Sequence, residues 1–144
     1  MEQPKVHYPA VIVAGLIQFF VGWLWYGMLF TTPWIEATGV SMEAAQSSSG
    51  GQMAAMYVGS LAAFLVAYYV MAHFVSSTKS TTAGQGMQTG FWLWLGFVAT
   101  TLFVNILYTM KPLTLWLIDA GYWLVCMLAG GALLAVWRKK EGGV

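Results

Sequence analysis

The chain has 144 residues, 59% of them hydrophobic and only 8% charged, with a net charge of +1. Soluble domains carry about 25% charged residues, and a water-facing surface cannot be built from so few. The composition excludes an ordinary soluble domain, and the near-neutral balance excludes a basic field for nucleic acid. An all-α integral membrane protein of one compact domain is what remains.

The N-terminal MEQPKVHYPAVIVAG continues through VGWLWYGMLF. That run is too long for a signal-peptide core of about 7–15 residues, and no small-x-small cleavage site ends it. It reads as the first membrane span, from about Tyr8 to Phe30. Gly15, Gln18, Gly22, Trp25 and Leu29 fall on one helical face, where the glycines admit a close neighbour. Gln18, near the bilayer midplane, requires a hydrogen-bond partner inside the protein, and Tyr26 sits near the outer end.

The connection TTPWIEATGVSMEAAQSSSGG, residues 31–51, reads as a long loop. A short interfacial helix is expected around Ser41 to Gln46, capped by Ser41 and with Glu43 in its first turn. Span two runs from about Gln52 to Val75, with a small-residue face at Gly59, Ala63 and Ala67. His73 near its end reads as an interfacial residue. His7 and His73 lie on separate helices without metal-ligand spacing.

SSTKSTTAG is a short polar loop, and span three follows from about Gly86 to Met110. Gly90, Trp94, Phe97, Thr101, Asn105 and Tyr108 keep one face at helical spacing. Only Thr109 to Pro112 separate it from span four, about Leu113 to Trp137. Pro112 suits the first turn of a helix, and so short a turn implies an antiparallel hairpin.

None of the four segments alternates with period two, so they are helices of a four-span up-down bundle rather than barrel strands. Lys5, Lys79, Arg138, Lys139 and Lys140 fall on one side and Lys111 alone on the other. The positive-inside rule then puts both termini and the Lys79 loop in the cytoplasm, and the long first loop outside. Trp34 and Trp116 are expected in an outer aromatic belt, Trp92 and Trp137 in an inner one.

Asp119 is the only acid within the apolar segments. At about 1.5 Å per residue it lies roughly 10 Å beyond Pro112, inside a hydrocarbon core of about 30 Å. Facing lipid as a charge would cost at least about 2.5–3.5 kcal/mol, so it must face the protein interior or a wet cavity. Asn105 and Asp119 stand at equal separations from Pro112, which predicts Asn105 as its leading partner and Tyr26 as its second. Asp119, Tyr122, Cys126 and Gly130 form the matching face of span four. Cys126, the single cysteine, reads as a small buried hydrophobe and excludes an intrachain disulfide.

Gly22, Trp25, Tyr26, Phe30 and Trp34 in span one, Gly96 and Phe97 in span three, and LWLIDAGYW from Leu115 to Trp123 form an ordered pattern. It resembles the domain of unknown function seventeen sixty-one family, small bacterial and fungal membrane proteins. The resemblance covers about Tyr8 to Trp137 and implies four spans with no assigned activity. It leads to a histidine where this chain has Tyr122, which puts a role needing imidazole there in doubt.

No HExxH, GxSxG, paired intramembrane acids or glycine-rich phosphate loop is present. The sequence therefore points away from an enzyme, and no cofactor or metal is expected. The favoured reading is a non-catalytic structural, lipid-binding or accessory bundle of the inner or plasma membrane. Its partners would be membrane lipid and a second copy. The dimer would form through Gly130 and Gly131 with Ala135, or through Gly59 with Ala63. The alternative is an oligomeric transporter or channel for a small solute, cation or proton. It would use Asp119, Asn105, Tyr26, Tyr122, Thr101, Gln18 and Trp25.

Overall fold

The computed structural model describes residues 6–137, and every regular element among them is helical. Lys5, Arg138, Lys139 and Lys140, four of the five cations behind the orientation, lie outside the described residues. Four helices are long and apolar enough to cross a membrane: Tyr8–Leu29, Gly50–Ser77, Ala83–Tyr108 and Leu113–Val136. The chain is a multi-pass membrane protein.

Span one is α1 (Tyr8–Leu24) prolonged by a wide π-helical turn, Trp25–Leu29. The long loop holds two helices, α2 (Thr31–Thr38) and α3 (Met42–Gln46). Only α3 was expected. Ser41 caps it by accepting from the Ala44 amide at 3.2 Å, with Glu43 in the first turn. The unexpected α2 ends at Gly39, whose φ of 70° is left-handed and suits a residue without Cβ.

Span two is α4 (Gly50–Ser77). Ser49 and Gln52 close a reciprocal capping box at its start, with bonds of 2.8 and 3.2 Å. Span three is α5 (Ala83–Leu93), a second π-helical turn at Trp94–Ala99, and α6 (Thr100–Tyr108). Thr82 and Gln85 repeat the box at its start. Span four is α7 (Leu113–Val136). Before it, Met110 takes a left-handed φ of 55° and the Lys111 amide returns to the Ile106 carbonyl at 2.9 Å. Pro112 is the cap before α7, one place earlier than expected.

Helix α7 is the hub, packed by α1, α4, α5 and α6. Its closest neighbour is α5, because glycines meet there. A Cβ on Gly86 would collide with the Gly131 carbonyl, and one on Gly90 with the Met127 carbonyl. Gly130 receives the Tyr68 ring. Gly130, Gly131 and Ala135, expected to face a second copy, are therefore buried within one chain. Gly59 and Ala63 remain exposed. Ala10, Ala14, Met71, Val75 and Leu134 fill the core near the Lys79 end.

The two π-helical turns change which residues face inward. Each spends one residue more per turn than an α-helix, so the helical face shifts by one position. In span three Gly90 and Trp94 face α7, but after the turn Ala99 and Ile106 are buried. Phe97, Thr101, Asn105 and Tyr108 are all exposed. In span one Trp25 is followed inward by Phe30, their rings 4.8 Å apart, while Leu29 points out.

Candidate functional site

Span four presents Asp119 to span one, half-buried. In an α-helix neighbouring side chains project about 100° apart. Trp25 and Tyr26, three and four residues after Gly22, flank the face toward α7, and both engage it. The Trp25 indole donates to the Ile118 carbonyl at 3.0 Å, and the Tyr26 hydroxyl donates to an Asp119 carboxylate oxygen at 2.7 Å. This is the usual length of an O–H···O hydrogen bond. Thr31 then closes the turn by donating to the Tyr26 carbonyl at 2.7 Å.

Helix α2 covers this cluster. Its Trp34 meets the Tyr26 ring edge-on at 5.5 Å. Ala37 packs with Ile106 and Leu115. Lys111 donates to the Thr38 carbonyl at 2.7 Å, where a cation also suits the negative end of the helix. The first loop thus contributes a cap over the acid. Trp34 and Trp116, expected in an outer aromatic belt, are half-buried, and Trp116 donates to the Ala99 carbonyl at 2.8 Å. Trp92 and Trp137 are exposed.

Asn105 is not the partner of Asp119. Trp94 donates to the Ala120 carbonyl at 2.8 Å and Trp116 reaches Ala99, so Asp119 lies level with the wide turn of span three. Asn105 is further out and on the exposed side. Thr101 is exposed too and spends its hydroxyl on the Phe97 carbonyl at 2.6 Å.

Deeper in, Tyr122 stacks edge-on against Tyr26 at 5.2 Å and donates to the main-chain carbonyl of Gln18 at 2.8 Å. Gly22 makes room: a Cβ there would stand 2.9 Å from the Tyr122 oxygen. Tyr68 donates to the Cys126 carbonyl at 2.9 Å, and Cys126 is buried and unpaired with another cysteine. Gln18 is completely buried, yet its side-chain amide has no hydrogen-bond partner among the described residues. The expectation of an internal partner for that amide is corrected: only its backbone oxygen is used.

The structure therefore brings together Asp119, Tyr26, Trp25, Tyr122 and Gln18 and leaves out Asn105 and Thr101. Sequence reasoning missed Trp94, Trp116 and Tyr68 as donors to main-chain carbonyls. Trp94 four residues after Gly90 was the available signal, since a glycine that lets backbones approach also brings carbonyls within reach of the next turn. The cluster holds one acid, phenol and indole donors and no paired base. Such a set can bind and orient, and it supplies no nucleophile–base pair.

A family model described as Protein of unknown function (DUF1761) matches residues 9–135. No curated protein and no solved structure matches the chain.

Proposed function

We propose, for a chain that belongs to the DUF1761 family of unknown function, a non-catalytic role as a structural, lipid-binding or accessory membrane bundle. The observation that carries it is the Tyr26–Asp119 bond beneath α2. It engages the intramembrane acid in locking span one to span four, as a clasp. In this reading the protein lies in the inner or plasma membrane with both termini in the cytoplasm. It acts as a homodimer, with Gly59 and Ala63 the remaining small-residue face.

Proteoliposomes test the clasp. Wild-type vesicles are expected to pass protons, cations and small solutes no faster than empty ones. An Asp119-dependent flux, lost in Asp119→Asn, overturns the reading. Cysteine labelling tests the orientation: a cysteine at position 48 is expected to be reached from outside and one at position 77 from inside. A detergent-solubilised protein that is monomeric at every concentration by native mass spectrometry overturns the dimer.

One observation favours the second reading, an oligomeric carrier or channel. The Gln18 amide, fully buried and unpartnered near mid-span, lies one step below the Asp119–Tyr26–Tyr122 series. A solute that hydrogen-bonds to an amide would satisfy it.

A further inference from the structure

Helix α5 follows α7 closely and makes little contact with α4, and Thr89 of α5 is linked to Thr78 and Ser80 at the loop that joins them. Spans two and three therefore splay apart, leaving an open groove of about 510 Å³ on the bundle surface. Its lining is graded. Thr78, Ser80, Gln85, Gln88 and Thr89 line the end near the loop, and Phe74, Trp92 and Phe97 line it toward the membrane interior. Phe97 is 70% exposed and Trp92 61%, so the chain leaves this apolar wall uncovered.

We propose that this groove seats one anionic glycerophospholipid, its phosphate at the Lys79 loop and an acyl chain against Trp92 and Phe97. This deepens the lipid-binding arm of the function proposed above. Three features point to that occupant. The first is length. From Gln85 to Phe97, the ends of the groove's lining on span three, the helix rises about 18 Å, and half the hydrocarbon core is about 15 Å with the headgroup layer beyond it. The groove is one leaflet deep.

The second is charge: Lys79 is exposed on the loop, and residues 76–97 contain no acid. The third is donor chemistry. The Gln85 side-chain oxygen already accepts from the Thr81 and Thr82 amides at 2.9 and 3.3 Å, which leaves its NH₂ to donate. The exposed Gln88 lies one turn further along the same face. Thr78, Ser80 and Thr89 hydroxyls are linked at 2.8 and 3.2 Å, which fixes the loop against α5 and shapes the polar end.

Native mass spectrometry of the full chain reads occupancy directly, in detergent supplied with equal phosphatidylglycerol and phosphatidylcholine. The expected result is one phosphatidylglycerol adduct on the wild type. Lys79→Gln should weaken it about fivefold, the value of one cation near an anionic surface. Gln88→Trp should abolish it by filling the groove. Lys111→Gln removes the same charge at the opposite end and should leave it intact, as should Asp119→Asn. Equal adducts of both lipids, or adducts indifferent to Lys79→Gln and Gln88→Trp alike, overturn the proposal. Because flux is read at Asp119 and lipid at Lys79, failure of the clasp and failure of the groove are distinguishable.

Discussion

Span three behaves as two different helices on either side of its wide turn. Before the turn, Gly86 and Gly90 bring the backbone against Gly131 and Met127 of span four, and nothing larger fits. Within the turn, Gly96 has no atom within 4 Å of where a Cβ would stand, and after it Asn105 and Tyr108 are exposed. The exposed half is the more apolar of the two, so apolar character does not decide which half packs. What separates them is the one-residue change of face at Trp94–Ala99, which turns the polar and aromatic stripe outward. In span one the same device follows Trp25 and Tyr26, which face span four and give Asp119 its partner.

The sharpest way to break the contrast is to substitute glycine on the packed half. Gly90→Leu drives a side chain into the Met127 backbone, and neither backbone can yield without separating the helices. A loss of more than about 4 kcal/mol, seen as failure to fold or a collapse of the melting temperature in detergent, is expected. A wild-type melting temperature would show that spans three and four are not in this contact.

Removing Gly96 attacks the wide turn itself. Deletion takes out the one added residue, so a straight α-helix still turns Ala99 and Ile106 inward and keeps Asn105 outward, and a change of no more than about 1 kcal/mol is expected. A loss of more than about 3 kcal/mol would show that the turn is more than a one-residue insertion.

The Asp119 partner is decided by a double-mutant cycle. Tyr26→Phe and Asp119→Asn should each cost about 1 kcal/mol, with Asp119→Leu at about 1–3 kcal/mol because the Tyr26 hydroxyl loses its acceptor. The Tyr26–Asp119 pair should couple by at least about 0.5 kcal/mol, and Asn105→Leu should show no coupling to Asp119. Coupling to Asn105 in place of Tyr26 would reverse the assignment.

The smallest effect is at the exposed glycine of the turn. Gly96→Ala meets no atom and replaces a poor helix former, so stability should rise by about 0.5–1 kcal/mol. A destabilised Gly96→Ala would show that the glycine is needed within the wide turn.

Much was legible beforehand. The four spans, the α3 cap at Ser41 and the inward pointing of Asp119 follow from the residues because lipid acts on each segment separately. A run of apolar residues must become a helix there to satisfy its own backbone, and a carboxylate cannot face hydrocarbon cheaply. Tyr26 as a partner was within reach for the same reason. The capping boxes at Ser49–Gln52 and Thr82–Gln85 were also written in the chain, as a hydroxyl followed three residues later by glutamine.

The rest was decided in three dimensions. Uniform helical spacing put Asn105 on the face of Trp94, and equal counting from Pro112 put it level with Asp119. Both inferences assume an unbroken α-helix, and the wide turn at Trp94–Ala99 breaks it. No residue in WLGFVA demands that turn by its own propensity. It accompanies the bonds from Trp94 to the Ala120 carbonyl and from Trp116 to the Ala99 carbonyl, which tie spans three and four together on either side of it. Local composition set which segments enter the membrane. The contacts between helices set the face each one presents, because a single added residue rotates everything beyond it while leaving hydropathy unchanged.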